Sequence, residues 1–173
     1  MYRGETFLDG LIGRFAARCS PVVVVLGAAA DEIGARVRRS ATLVYNERYR
    51  LGQTTSMQCG LKAMPAGIEG VLFTLVDHPA VASATIEALT GDSGTGDPLP
   101  RLRVPRYEGK RGHPIWFSSS LITEFLALPE DGAARDVVRA HADHTEFLDV
   151  DDAGVLADID DPEAYRVLVG AGA

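Results

Sequence analysis

Two acidic turns end apolar stretches of this chain, and their residue types are those that bind divalent cations. Leu75-Val76-Asp77-His78-Pro79 closes one strand-like run, and Asp-Ile-Asp-Asp-Pro-Glu at 158–163 closes another near the C-terminus. Carboxylates at the ends of buried parallel strands lie where an open α/β sheet would hold a hard cation and a phosphorylated ligand. The two turns therefore indicate metal-assisted phosphate chemistry.

Asp77 is the first candidate ligand. Mg²⁺ binds oxygen, and it usually accepts one or two protein carboxylates and leaves its other positions to water and substrate phosphates. An Asp at a strand end, joined by a second Asp from a distant turn, meets that need. Asp77 or His78 could instead cap a helix that begins at Pro79, because Pro is favoured at the first helical position and Asp at the cap. The residues alone leave both interpretations open.

The second turn divides into a structural part and a candidate ligand part. Residues 161–163, Asp-Pro-Glu, supply the cap, the first-turn Pro and the acidic first turn of a closing helix, so this Asp is predicted to be structural. In a strand over residues 155–159, Asp158 and Asp160 would share the face opposite Ile159. We predict Asp160, nearer the strand end, as the second metal ligand, and Asp158 as a solvated or hydrogen-bonded edge residue.

Two further segments contain groups that suit an anionic ligand. Residues 46–56 lead from a strand into a helix, and hydroxyls with free backbone N–H groups at a helix start bind anions. The same residues provide ordinary N-capping, which is the interpretation we favour when the segment is considered alone. Residues 106–114 gather three cations, two glycines and His113 in one loop, which would either hold a phosphate or form a solvated surface turn.

Apolar spacing predicts the elements that position these residues. The predicted helices cover residues 5–19, 29–38, 54–64, 118–126 and 132–140, with another from Pro79 and a closing one after 161; the predicted strands cover 21–26, 42–45, 70–76, 102–107, 115–117, 145–150 and 155–159. The alternation indicates an α/β fold with a layered parallel sheet. The polar loop at 91–98 does not lead from a strand into a helix, so its glycines do not predict a dinucleotide site.

Composition limits the class of protein and its partners. A length of 173 residues fits one domain over 1–173, and the net charge of −7 with two lysines argues against a nucleic acid partner. Cys19 and Cys59 do not form a Cys-x-x-Cys pair, which favours a reducing compartment. Neither a signal peptide nor a segment of bilayer-spanning length is evident. We therefore expect a cytoplasmic protein with no membrane partner.

Taken in order, these segments resemble the MobA-like nucleotidyltransferases, most closely the branch of the molybdenum cofactor cytidylyltransferases. The resemblance extends over nearly the whole chain through short matching stretches, which lie at residues 2–8, 25–28, 46–61, 77–79, 109–114, 131–132 and 158–163. It implies a Rossmann-like nucleotide-diphospho-sugar transferase fold of three layers around a mainly parallel sheet. It also implies transfer of CMP from CTP to molybdopterin or the molybdenum cofactor, with release of pyrophosphate.

The resemblance assigns roles to individual residues. It implies Mg²⁺ as cofactor, with Asp77 as its ligand and Asp160 as the matched second acidic position; Asn46, Gly52 and Ser56 match positions that line the nucleotide and cofactor cleft. His113 falls in the loop that faces the acceptor. His78 stands where the family usually has Gln, beside the metal and nucleotide, and Asp161 stands where it usually has Thr. A molybdoenzyme that receives the product is an implied partner.

One feature of the family is missing from this sequence. Members open with a strand and a Gly-rich loop, Leu-Ala-Ala-Gly-x-Ser-x-Arg-Met-Gly-x-x-Lys, and Met1 aligns just beyond that lysine. A start assigned at an internal methionine, a trimmed chain and a relative that has lost catalysis would each explain this, and we favour the first. The alternatives to cytidylyl transfer are an accessory module that binds molybdenum cofactor for delivery to a molybdoenzyme, and a sugar-phosphate nucleotidyltransferase of the same fold.

Overall fold

Strands and helices alternate up to residue 107 in a computed structural model that describes residues 1–91 and 101–170. The helices are α1 Phe7–Ala16, α2 Ala30–Gly34, α3 Gln53–Lys62, α4 Ser83–Thr90, α5 Ile122–Ala127, α6 Ala134–Ala140 and α7 Pro162–Gly170. The strands are β1 Val23–Leu26, β2 Thr42–Tyr45, β3 Gly70–Phe73, β4 Leu102–Tyr107, β5 Lys110–Arg111, β6 Ile115–Ser118 and β7 Thr145–Asp149. Most of the loop predicted at 91–98 lies outside the described residues.

The strands form two sheets among the described residues. Strand β1 pairs parallel with β2 in one sheet, and the other has the order β3-β6-β4-β5 with β7 added alongside β4. Strand β7 is parallel to β4, whereas β6 runs antiparallel to both β3 and β4. The pairing is thus more mixed than the mainly parallel sheet that we predicted. The reason is local: Glu108 and Gly109, both with positive φ, turn β4 back into β5 and so reverse the chain before β6.

Apolar side chains cover both faces of the larger sheet. Val71 packs in a cluster with α3, α5 and α6, whereas its neighbour Leu72 packs in a second cluster with α1 and α4. Successive residues of a strand point to opposite faces, so helices lie on both sides of β3. This three-layer arrangement agrees with the predicted fold class, and its two cores are separated by the sheet itself.

Two elements differ from the prediction in ways that affect the site. Residues 155–159 are not a strand: a 3₁₀ helix covers Ala153–Leu156 and irregular chain follows it. Helix α4 begins at Ser83 and not at Pro79, so neither Asp77 nor His78 is its cap. Instead, Asp152 accepts hydrogen bonds from Ala82 N at 2.8 Å and Thr85 Oγ1 at 2.6 Å. A residue that is remote in sequence thus provides the acceptor for the backbone N–H at the start of α4.

Helix α1 is fastened by a buried carboxylate. Thr6 caps the helix through Asp9 N, and the Asp9 side chain, 4% exposed, accepts hydrogen bonds from the backbone N–H groups of Arg38 and Arg39 at 2.9 and 3.2 Å. These hydrogen bonds, of which the one from Arg38 has the largest effect, hold the pKa of Asp9 below its ordinary value.

Within the described part of the chain, every helix is too short or too polar to cross a membrane.

Candidate active site

The turn that follows β3 places two polar side chains at the end of the sheet. After Phe73 the chain leaves the strand, and its backbone turns back so that His78 N donates to Leu75 O at 3.4 Å. His78 is buried, with 7% of its surface exposed, and the Asp77 side chain is 30% exposed. Asp77 therefore reaches the surface from a turn whose next residue belongs to the interior.

The C-terminal acidic segment lies directly against this turn. Ile159 N donates to Asp77 O at 2.9 Å, which fixes the position of the residue before it. As a result Asp77, His78 and Asp158 each offer a ligand atom, and these three atoms lie within 4.8 Å of one another. We call these three residues the acidic–imidazole cluster. Asp158 is its exposed member and His78 its buried one.

A second imidazole supports the buried side of the cluster. The ring of His113 lies against that of His78, with centroids 4.7 Å apart, and the Phe73 ring meets His113 edge to face, with centroids 6.5 Å apart. The backbone N–H of His113 donates to Val155 O at 2.9 Å. Burial, followed by the neighbouring His78, lowers the pKa of His113 below its ordinary value. The loop at 106–114 thus meets both acidic turns.

Two close backbone contacts hold the three segments together. A Cβ placed on Gly112 would lie 2.3 Å from Val155 O, and a Cβ on Gly154 would lie 2.4 Å from Ala80 O. Both distances are far inside van der Waals contact, so a side chain would force the backbones apart. Glycine at these positions allows the 3₁₀ helix Ala153–Leu156 to fit between the loop before His113 and the turn after Asp77.

Unpaired polar atoms concentrate in this site. Buried side-chain atoms without a hydrogen-bond partner, among the described residues, are Asp77 Oδ1, His78 Nδ1, His113 Nδ1 and Arg14 Nε. Arg14 lies beside the same turn, because its Nη2 donates to Pro79 O at 2.6 Å. A buried acceptor or donor left without a partner is costly, and a bound cation would satisfy the Asp77 oxygen and an imidazole nitrogen. The residues present therefore fit a divalent metal ion.

The structure brings together a different pair of carboxylates from the pair that we predicted. Asp160 is exposed and is not a member of the cluster, while Asp158, predicted as an edge residue, lies beside Asp77. The alternation argument was wrong because residues 157–160 are not a strand. Asp161 accepts from Glu163 N and Ala164 N, both at 2.8 Å, which agrees with its predicted cap role. Asp160 as a metal ligand stays a prediction.

The residues predicted to line the nucleotide cleft form a separate group. Asn46, 5% exposed, donates through Nδ2 to Thr55 Oγ1 and Ser56 Oγ, both at 3.0 Å, and its Oδ1 accepts from Arg48 N at 3.0 Å. Gly52 has a φ of 117° and lies at the start of α3. Helix α3 has no side-chain cap at Gly52, so the N-capping that we favoured for the segment is wrong; the Asn46 bonds instead join the preceding loop to the first turn of α3. In residues 1–91 and 101–170, no hydrogen bond joins them to the acidic–imidazole cluster.

A cleft next to this group was not predicted. It lies at the carboxyl ends of β1 and β2, with a volume of about 890 Å³, and its lining includes Gly27, Tyr45 and Tyr49. Tyr45 is 55% exposed, and the Tyr49 side chain packs so closely on Gly27 that a Cβ there would lie 2.6 Å from Tyr49 Cβ and 2.8 Å from its ring. The sequence pattern of the strands could not predict this cleft, because its walls come from segments that are separate in sequence.

Comparison with known proteins identifies the family. Residues 1–145 match the MobA-like NTP transferase domain. The chain belongs to the MobA-like NTP transferase family. The resemblance that we drew from short stretches is therefore confirmed at the level of the family, and the Rossmann-like NTP transferase fold is confirmed with it. The choice of CTP and molybdopterin within that family is not part of this result.

Relatives of this MobA-like chain cover it to different extents. It is 29% identical over 119 residues to the purine catabolism protein PucB of Bacillus subtilis (strain 168), an alignment that covers 68% of this chain and 56% of PucB. The chain thus spans about half the length of this curated relative. Rv0371c of Mycobacterium tuberculosis H37Rv, solved in complex with manganese, has a TM-score of 0.78 and 27% identity, covering 98% of this chain and 89% of Rv0371c.

A more distant structure shares the fold alone. The molybdopterin-guanine dinucleotide biosynthesis protein A of Archaeoglobus fulgidus has a TM-score of 0.64 at 12% identity, and the match covers 99% of this chain and 88% of that protein. The MobA-like architecture therefore persists where little of the sequence does. Function at the level of substrate has to be argued from the site.

Proposed function

We propose that this chain transfers CMP from CTP to molybdopterin or the molybdenum cofactor and releases pyrophosphate. The observation that carries the proposal is the acidic–imidazole cluster, in which Asp77 Oδ1 is buried without a partner beside the Asp158 carboxylate. Membership of the MobA-like NTP transferase family supports a nucleoside triphosphate as donor. The manganese in the Rv0371c structure supports use of a divalent ion, for which the sequence resemblance implies Mg²⁺.

Asp77 and Asp158 would hold the divalent ion, because their carboxylates come from two turns that a backbone hydrogen bond joins. When bound, the ion would neutralise phosphate charge. The reaction needs little covalent help from the protein: an acceptor phosphate oxygen attacks the α-phosphorus, and the bond from that phosphorus to pyrophosphate breaks. The task of the chain is therefore to align the two anions and to reduce their repulsion.

The loop that carries His113 is suited to the acceptor side. Lys110 and Arg111 are exposed three and two residues before His113, and they supply positive charge to an incoming phosphate. The His113 ring is half-buried and packs against His78. The exposed Tyr45 ring, in the cleft beside Asn46, offers an aromatic surface for the base of the nucleotide.

Label transfer tests the proposal directly. The purified chain is incubated with molybdopterin and, in separate reactions, CTP, GTP, ATP or UTP labelled at the α-phosphate, with Mg²⁺ or Mn²⁺. We expect label to pass to the pterin from CTP in preference to the other three. Asp77→Asn and Asp158→Asn should each lower the rate by about a hundredfold or more, since each removes a charge that faces the developing phosphate charge.

Asp160→Asn distinguishes this pair of ligands from the pair predicted from the sequence, because Asp160 is an exposed Asp two residues from Asp158 and outside the cluster. Its rate should stay close to that of the parent chain. If Asp160→Asn were as damaging as Asp77→Asn while Asp158→Asn had no effect, the ligand pair given above would be wrong. Preferred transfer from GTP, or no transfer from any nucleotide, would contradict cytidylyl transfer itself.

A further inference from the structure

The buried imidazole of the acidic–imidazole cluster has no structural bond to explain its burial. His78 is 7% exposed, and its Nδ1 atom is buried without a hydrogen-bond partner. Its Nε2 lies 3.9 Å from Asp77 Oδ1, which is too long for a hydrogen bond. A structural histidine at this depth would donate to a carbonyl or a carboxylate. One ring nitrogen of His78 instead lies within 4.8 Å of carboxylate oxygens of both Asp77 and Asp158.

Helix capping does not explain His78 either. Helix α4 begins at Ser83, five residues later, and Asp152 satisfies its first free donors. The ring is also held in place from behind, because His113 lies against it with centroids 4.7 Å apart. This contact restricts the rotation of the His78 ring, and so helps to keep its ligand nitrogen near Asp77 and Asp158.

The donor set then favours a particular class of metal ion. Mg²⁺ prefers six oxygen ligands in an octahedron, whereas imidazole nitrogen suits the divalent ions later in the first transition series. We infer that His78 is a nitrogen ligand and that the acidic–imidazole cluster prefers Co²⁺ and Zn²⁺, and to a smaller degree Mn²⁺, over Mg²⁺. This inference specifies which ion binds at the site of the proposed function. It rests on the proposed function only for the role of that ion in catalysis.

Metal titration without nucleotide tests the preference. Calorimetry of the full chain with Mg²⁺, Mn²⁺, Co²⁺ and Zn²⁺ gives the order of affinity, and the visible absorption of Co²⁺ reports nitrogen coordination. His78→Gln replaces the imidazole with an amide and should weaken Co²⁺ and Zn²⁺ binding by about ten- to a hundredfold. Its Mg²⁺ affinity should change by less than about threefold, because Mg²⁺ gains little from nitrogen. His144→Gln, outside the cluster, should leave all four affinities unchanged.

A measurement on the unaltered chain covers the case in which His78→Gln does not fold. Pulsed electron paramagnetic resonance of the Mn²⁺-loaded chain should show coupling to a directly bound imidazole ¹⁴N. Absence of that coupling, or equal loss of Mg²⁺ and Zn²⁺ affinity in His78→Gln, would overturn the inference. Nitrogen coupling without label transfer from any nucleotide would leave this inference intact and contradict only the proposed function. Label transfer by a chain whose bound metal shows only oxygen ligands would contradict this inference and leave the proposed function intact.

Discussion

Gly112→Ala is the sharpest test of how the site is assembled. A Cβ on residue 112 would lie 2.3 Å from Val155 O and 2.7 Å from Val155 C. The two backbones would have to separate by about 1 Å to reach ordinary van der Waals distance. Overpacking of this kind costs about 1–3 kcal/mol, which for a chain of this length lowers the Tm by about 2–12 °C.

The same displacement should weaken metal binding. Val155 O accepts the hydrogen bond from His113 N, and Asp158 follows three residues after Val155. A shift of this segment therefore moves Asp158 away from Asp77. We expect Gly112→Ala to lower both the Tm, measured by scanning fluorimetry, and the affinity for Mn²⁺, measured by titration.

Gly170→Ala provides the matched control. Residue 170 ends α7, and a Cβ there would meet no atom within 4 Å. Because Ala has the higher helix propensity, the Tm of this variant should be unchanged or slightly raised. If Gly112→Ala melted and bound Mn²⁺ like Gly170→Ala, the close approach of the loop to Val155 would not be what positions Asp158.

Four further variants test three separate features of the fold. Asp161→Ala should cost about 0.5–2 kcal/mol by removing the cap of α7, with Mn²⁺ affinity unchanged; a loss of affinity would give Asp161 a role in the site. The pKa of folded Asp9 is lowered from 3.8, so its contribution is present above that value and is lost as the pH falls through the folded pKa. Urea unfolding from pH 7 to 3 should therefore show a weaker acid dependence in Asp9→Asn, and an identical dependence would contradict this. Arg103, 3% exposed, donates to Leu89 O and Gly91 O, so Arg103→Met should cost about 1–3 kcal/mol. Arg106→Met, which breaks an exposed pair with Asp149, should cost less than about 1 kcal/mol, and equal values in chemical denaturation would refute the distinction.

Local patterns predicted most of the secondary structure. The bounds predicted for β2 and β4 match Thr42–Tyr45 and Leu102–Tyr107, since short apolar strands bounded by turns carry their signal in adjacent residues. Helix α2 was predicted too long, at 29–38 against Ala30–Gly34. The direction of β6 was also missed, because the apolar pattern of a strand does not show that the turn at Glu108 and Gly109 reverses the chain before it.

The same distinction between local patterns and distant contacts applies to the prediction of the site. Asp77 after β3 and the cap at Asp161 follow from residues that are neighbours in sequence, and the order of short motifs was enough to predict the family. The pairing of Asp158 with Asp77 follows from one backbone hydrogen bond between Ile159 and Asp77. It depends also on two glycines, Gly112 and Gly154, whose backbones touch segments far away in sequence.

The amino-acid sequence by itself determined the family, the α/β class and the first acidic turn, because each is written in residue types at short spacing. Only the tertiary structure decided that His78 and Asp158 meet Asp77 while Asp160 does not belong to their cluster. The physical reason is that the acidic segment at 157–160 has no regular periodicity of its own. Its side chains take their directions from the backbones against which it packs.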